Sequence, residues 1–292
     1  MANTRITGIT DKIKILDSTP AEYVPGFIVG GSYELNNASE PKGGVGEGVN
    51  RSFHIDGVAS GKGKIKIECP DLKTLQLIGT YSAGWTVVNA TTLPEYTVQM
   101  DTYTGKYISF TGCKFSLESL ELTKGGLLTM TFGFVAKDYT YETGSISQTM
   151  ETDTPLSYLS CKLKVAGSYV GSISRLNIGI DRGLHAERGI ENASVASIRK
   201  PTDVLEKKTN ISFSADIEIT DDTAWTQVIG GTSIQDSRSD VAIIFETTST
   251  GGSLTLTGAR VEGGSFDKPY DEGEIRVGAI SGTALSWSVA GS

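Results

Sequence analysis

The sequence contains the same strand–turn–strand pattern twice, about half the chain length apart. The first copy is Ile108–Phe115 (ISFTGCKF) and the second is Leu254–Val261 (LTLTGARV). In each copy apolar and polar residues alternate, a Thr-Gly pair interrupts the alternation, and a basic residue follows. A duplicated β domain would give a subunit two equivalent interaction surfaces. The pattern therefore favours an assembly protein over an enzyme.

The elements around the two patterns follow in the same order. A short helix is predicted after Asp71, ending at Gly79, with Leu72, Leu75 and Ile78 on one face, and a second helix after Asp222. Alternating segments predict strands at 24–35, 62–68, 96–101, 106–117 and 126–136, and again at 172–180, 211–219, 240–246, 253–262 and 273–280.

This order predicts an all-β protein of two tandem β-sandwich or half-barrel domains, each with one short flanking α-helix. The predicted domains are 24–150 and 151–292, after an N-terminal arm of residues 1–23 with one possible strand at 12–16. Composition agrees, because 35 glycines and only 8 prolines in 292 residues are typical of tight β turns.

Charge and cysteine content limit the function classes. A net charge of −8 and a pI near 4.9 argue against binding of phosphate backbones. Cys69, Cys113 and Cys161 have no disulfide or metal-ligand spacing, which favours buried thiols in a reducing compartment. We expect no signal peptide, no membrane partner and synthesis in a cytoplasm.

No motif for catalysis or cofactor binding is recognisable. The two histidines, His54 and His185, have no nucleophile motif nearby. The glycine-rich segment 43–48 lacks the Gly-Lys-Ser/Thr end of a phosphate-binding loop and predicts a mobile surface loop. Asp221 and Asp222 are explained by the helix cap. We therefore expect no enzyme activity, no cofactor and no metal site.

One charge contrast separates the two copies. Equivalent strands carry Lys62, Lys64 and Lys66 in the first copy but Asp216 and Glu218 in the second. These residues form either a solvated strand face or a complementary charge seam between subunits. In the second case, reversal of Lys64 and Lys66 to Glu impairs assembly unless both acids are reversed too.

The order of elements resembles the phage tail tube (major tail) proteins of long-tailed viruses. The resemblance rests on the early strand with its long loop (28–50; 173–208), the alternating strand before the capped helix (63–79; 212–231) and the closing Thr-Gly hairpins (108–136; 254–279). The arm 1–23 and the segment 37–50 depart from the family pattern.

The resemblance implies a structural protein of the virion tail, assembled in the host cytoplasm. Subunits of such proteins form rings whose inner sheets join into a β-barrel, and stacked rings conduct viral DNA without specific binding. Two domains in one chain imply trimeric rings with pseudo-sixfold symmetry. Other expected partners are tape measure and tube terminator proteins. The long loops imply inter-ring contacts at Gly43, Gly44, Gly46, Gly48, Arg182, His185, Glu187 and Arg188.

Other readings remain open at this point. A surface or secreted β-sandwich adhesin or carbohydrate-binding module has the same fold class, although no signal peptide or cluster of aromatic residues favours it. An enzyme on a β scaffold is disfavoured by the scarcity of histidine. A tube protein of a contractile tail or injection device differs in no property that the sequence reveals.

Overall fold

The computed structural model describes residues 12–19, 21–42, 53–82, 86–103, 105–169, 172–187, 201, 203–219, 240–247, 251–267 and 276–291.

In this part of the chain the secondary structure consists of twenty β-strands and two short 3-10 helices. In chain order these are β1 (Ile13–Leu16), β2 (Glu22–Tyr23), β3 (Phe27–Lys42), β4 (Phe53–Glu68), η1 (Leu72–Ile78), β5 (Gly79–Ser82), β6 (Thr86–Asn89), β7 (Tyr96–Tyr103), β8 (Lys106–Thr123), β9 (Thr129–Ala136), β10 (Asp138–Thr143), η2 (Tyr158–Ser160), β11 (Cys161–Val165), β12 (Ser168–Tyr169), β13 (Ser172–Asp181), β14 (His185–Glu187), β15 (Asp203–Leu205), β16 (Asn210–Ile219), β17 (Val241–Thr247), β18 (Ser253–Asp267), β19 (Arg276–Ala284) and β20 (Ser286–Ala290). The expectation of an all-β protein is confirmed.

The central element of the fold is an antiparallel sheet of eight strands. Its order is β3–β4–β9–β8–β13–β16–β19–β18. The first four strands come from the first half of the chain and the last four from the second half. The pairing of β8 with β13 joins the halves, and we call it the intramolecular junction.

Two smaller sheets lie over the central one. One has the order β2–β1–β7–β8–β10 and the other β12–β11–β17–β18–β20–β6–β5. Because β8 and β18 each take part in two sheets, all of these strands form one hydrogen-bonded system.

Two glycines mark where β8 and β18 leave a covering sheet for the central sheet. Gly112 has φ +61° and Gly258 has φ +63°, a left-handed conformation that glycine adopts without steric cost. The repeated Thr-Gly pair was predicted as a turn. It is instead a bend within a continuous strand, because both flanking segments keep their ladder partners.

The pairing order of the second half repeats that of the first. Pairings β1·β2, β1·β7, β3·β4, β4·β9, β7·β8, β8·β9 and β8·β10 have counterparts in β11·β12, β11·β17, β13·β16, β16·β19, β17·β18, β18·β19 and β18·β20. The hairpins β5–β6 and β14–β15 stand outside this scheme.

The hydrophobic core lies between the central sheet and its cover. One apolar cluster includes buried residues of both halves. Its aromatic centre is in the first half, where the Phe110 and Phe134 ring centroids lie 5.4 Å apart and the Phe115 and Phe134 centroids 5.7 Å apart. Alternation explains the burial, since Met130, Phe132 and Phe134 face the core while residues between them do not.

The predicted helix after Asp71 forms, but it is a 3-10 helix and not an α-helix. The Asp71 carboxylate accepts a hydrogen bond of 2.8 Å from the Lys73 amide, and the helix ends at Gly79 as predicted. Leu72, Leu75 and Ile78 are three residues apart, which matches the three residues per turn of a 3-10 helix. The predicted helix after Asp222 lies outside the described residues.

Two of the three cysteines are buried, as predicted, and none forms a disulfide. Cys69 and Cys113 have no exposed surface, and Cys161 is half-buried. Burial raises the pKa of the Cys69 and Cys161 thiols to about 12, so both stay protonated at neutral pH.

Candidate assembly surfaces

In the part of the chain that the structure describes, the central sheet ends in two open edges. Among the described strands β3 pairs only with β4, and residues 260–267 of β18 pair only with β19. An edge strand presents a row of backbone N–H and C=O groups to any strand that can approach it. The β3 edge and the 260–267 edge are therefore the places where this sheet can be extended.

The intramolecular junction shows how one half joins the next. On its core side, Leu122, Leu120 and Leu117 of β8 lie opposite Leu176, Ile178 and Ile180 of β13, and all six are buried. The two halves thus share a ladder and an apolar layer, which is the structure of a sheet interior and not of a contact between loosely associated domains.

A cluster of buried charges lies beside the junction. The Lys114 ammonium is 3.1 Å from the Glu206 carboxylate and donates a hydrogen bond of 2.8 Å to the Val204 carbonyl. The Arg182 guanidinium is 2.5 Å from the same carboxylate. Lys114 belongs to the first half and the other three to the second, so this ion cluster also joins the halves.

Arg182 extends the ion cluster to the loop before β7. Its guanidinium donates to the Asn89 side chain at 2.6 Å and to the Ala90 carbonyl at 2.9 Å. Burial alone would raise the pKa of Glu206, but hydrogen bonds from the Leu93 amide, Arg182 and Lys114 outweigh it and lower this pKa. Glu206 therefore remains ionised between its two cationic partners.

An outer layer of charges surrounds the ion cluster. The Lys137 ammonium is 2.6 Å from the Glu95 carboxylate and 3.2 Å from that of Asp203. Burial tends to lower the pKa of Lys137, but the hydrogen bonds that its ammonium donates to the carboxylates of Glu95 and Asp203 raise this pKa overall. Asp203 is in β15, so Lys137 is a second cation of the first half that is held by the second half.

The side of the central sheet away from the core is polar, and we call it the polar face. Lys62 is 3.5 Å from Glu34, and Lys64 is 2.6 Å from Glu118. Glu118 reaches Lys64 across β9 at Gly133, where a Cβ atom would lie only 2.7 Å from the Glu118 carboxylate. Other charged residues of this face are Lys66, Glu121, Arg175, Asp181 and Asp216.

The residues of the predicted charge seam all lie in strands with neighbours on both sides. Lys62, Lys64 and Lys66 are in β4, and Asp216 and Glu218 are in β16. Two of the lysines have carboxylate partners in their own chain. The side chain of Glu218 lies outside the described part of the structure, and pairing across subunits stays a prediction.

The predicted inter-ring residues fall into three groups. Gly43, Gly44, Gly46, Gly48 and Arg188 lie outside the described residues. His185 and Glu187 are exposed on the β14–β15 hairpin. Arg182 is only 4% exposed and belongs to the ion cluster. Sequence reasoning noticed Arg182 and missed Lys114 and Glu206. No sequence signal pointed to Lys114, because the alternation of Cys113, Phe115 and Leu117 puts it on the polar side of β8.

The described residues contain no group of His, Cys, Asp and Glu that could hold a metal ion. No helix in this part of the chain is long and apolar enough to cross a membrane.

A family model described as phage tail tube protein matches residues 26–284. No curated protein matches the chain. The matched region extends from the edge strand β3 to the end of β19 and so contains the whole central sheet and both open edges. This favours the tail tube over an adhesin or an enzyme. The chain belongs to the phage tail tube protein family and is a structural component of the virion tail.

Proposed function

We propose that three copies of this chain close into a ring with pseudo-sixfold symmetry, and that stacked rings form the tube through which viral DNA leaves the capsid. The observation that carries the proposal is the repeated pairing order. The halves are joined edge to edge, and at each end of the central sheet one edge has no pairing strand among those described. A ring removes both open edges, which a linear chain of subunits does not.

We further propose that the chain arose by duplication of one tail tube domain. The pairing order supports repeats of β1–β10 and β11–β20, and a boundary at residues 150 and 151 is consistent with this division. In this division β1 and β2 belong to the first repeat, because β11 and β12 have the same pairings in the second. The predicted arm then shortens to the residues before β1.

The polar face of the central sheet is proposed to line the channel. Its opposite side is covered by the two smaller sheets, so only this face is available to a lumen. The pairs Lys62–Glu34 and Lys64–Glu118 hold two of its lysines next to carboxylates. Phosphate groups therefore meet few uncompensated cations, and a net charge of −8 per chain adds repulsion. DNA would slide past without being retained.

Ring stacking is proposed to use the long loop of each repeat. His185 and Glu187 are exposed at the base of the second loop. Gly43, Gly44, Gly46, Gly48 and Arg188 complete the proposed contacts, and the buried Arg182 is left out of them. Tape measure and tube terminator proteins are the other proposed partners, and assembly is proposed to take place in the host cytoplasm.

The test is light scattering combined with negative-stain microscopy of the purified protein over a range of concentrations. We expect monomers to convert to species of three chains and to hollow stacks of rings with a stain-filled channel. A protein that stays monomeric at all concentrations, or that forms rings of six chains, would contradict the proposal.

A further inference from the structure

We propose that residues 260–267 of β18 pair, antiparallel, with β3 of a second copy of this chain, in the register of the intramolecular junction. Phe266 then lies opposite Tyr33 of the second copy, and Asp267 opposite Ser32. The inference rests on the proposed ring and adds which strands meet and how they are aligned.

Two side-chain contacts define equivalent positions in the two halves. Lys137 and Leu285 are equivalent, because each side chain lies against a left-handed glycine: a Cβ atom would be 2.7 Å from Lys137 at Gly112 and 2.8 Å from Leu285 at Gly258. Three residues before each of them are Phe134 and Gly282, which are therefore equivalent too.

From these two positions the ladders lead to the outer strands β3 and β13. Phe134 pairs with Gly63, which pairs with Tyr33. Gly282 pairs with Phe213, which pairs with Ile178. Tyr33 in β3 is therefore the counterpart of Ile178 in β13.

In the other direction the ladders lead to β8 and β18. Four residues before Phe134 and Gly282 are Met130, which pairs with Leu120, and Gly278, which pairs with Phe266. Phe266 is therefore the counterpart of Leu120. Since Leu120 lies opposite Ile178 in the intramolecular junction, Phe266 is expected opposite Tyr33.

An exposed apolar residue beside the same edge independently indicates that a second copy covers it. Leu285 is 74% exposed. Its counterpart Lys137 contacts Asp203, a residue of the half that follows it around the proposed ring. By the same relation Leu285 would face the second copy. Arg260, the counterpart of Lys114, is also on this edge and keeps a partner in its own half, Asp240, at 3.0 Å.

Disulfide trapping tests the register. In a Cys161→Ser background, Ser32→Cys with Asp267→Cys places two thiols directly opposite each other, at the Cα separation of about 5 Å that a disulfide needs. A link within one chain is excluded, because the two edges are seven strand spacings apart, roughly 34 Å. After oxidation of assembled protein we expect covalent dimers and trimers on a denaturing non-reducing gel, and no larger species.

The matched control is Ser32→Cys with Ser265→Cys, which shifts the register by two residues and separates the Cα atoms by about 7–8 Å. It should link poorly. Preferential linking of this pair, or rings without links in either variant, overturns the register and leaves the proposed function intact. Failure of unmodified protein to form rings overturns both.

A second measurement needs no substitution. In hydrogen exchange of unmodified protein, backbone amides of β3 and of residues 260–267 should exchange more slowly in rings than in monomers. Rings in which neither segment gains protection would overturn the inference.

Discussion

At the scale of single residues, two glycines decide where the chain changes sheets. Gly112 and Gly258 are in the left-handed region and have a long side chain directly against the Cα atom. Every other residue type would add both a conformational cost and a steric one. The sequence signals both positions as Thr-Gly pairs, although the pattern alone does not separate a bend from a reversing turn.

Substitution of Gly112 by Ala should lower the free energy of unfolding by about 1–2 kcal/mol, the cost of a left-handed conformation for a residue with a Cβ atom. Displacement of the Lys137 side chain adds to this cost. Urea unfolding of the monomer measures the change. The control is Gly30→Ala, where a Cβ atom meets nothing within 4 Å. Equal stability of both variants and the parent would contradict the role of Gly112.

The ion cluster makes a second prediction at this scale. Glu206→Gln removes the charge between Lys114 and Arg182, whose side chains are 6% and 5% exposed. Loss of one partner of a buried ion pair destabilises by about 3–5 kcal/mol. The same change at Glu121, which is exposed, should have little effect. If Glu206→Gln lowers the free energy of unfolding at neutral pH by no more than Glu121→Gln does, the ion cluster does not hold the halves together.

The pH dependence of that loss follows from the lowered pKa of Glu206. A carboxyl whose pKa is lower in the folded than in the unfolded chain adds stability above its ordinary pKa of about 4.3, and this stability is lost as the pH falls through the folded value. The difference in stability between the parent and Glu206→Gln should therefore shrink below about pH 4. A difference that stays constant down to pH 3 would contradict the assignment.

At the scale of elements, the polar face combines strands whose sequences look unrelated. The lysine-rich strand β4 and the acidic strand β16 belong to one sheet, and the carboxylates that contact Lys62 and Lys64 come from β3 and β8. Because these partners meet only through the ladder, alternation within each strand predicted the face but not the pairs.

Removal of these carboxylates should make the protein hold DNA. Glu34→Ala with Glu118→Ala leaves Lys62 and Lys64 without their partners, so binding of labelled duplex DNA should appear at low salt and fall steeply as salt is raised. Fluorescence anisotropy measures it. Glu142→Ala with Glu151→Ala changes the net charge equally, away from these pairs. If both double variants bind alike, net charge and not the local pairing governs DNA retention.

Most strands of the central sheet were predictable from period-two alternation. Of the covering strands, β1, β7 and β17 were predicted at 12–16, 96–101 and 240–246, and the others were missed. The alternation in 62–68, 126–136 and 211–219 identified β4, β9 and β16, although the ends differ by several residues. The missed strands are short or largely exposed. β10 is an example. Four of its six residues are exposed, so its position in the sheet does not depend on alternating apolar residues.

At the scale of the whole molecule, the sequence predicted a repeat but not the surfaces that assembly requires. A strand is an open edge when no other strand pairs with one of its sides. This depends on the order of strands in the completed sheet. The ion cluster also depends on the order of strands. Lys114 and Val204 are 90 residues apart and meet only because β13 pairs with β8. Strand patterns are local, whereas both features arise from topology.

The central claim is that the eight-stranded sheet of each chain continues into the next until a channel is enclosed. Cryo-electron microscopy of assembled tubes, at a resolution that separates strands, tests it most directly. We expect three chains per ring, six similar lobes, an uninterrupted inner wall of strands and the polar face towards the lumen. Rings in which neighbouring sheets remain separate, or in which the polar face points outward, would contradict it.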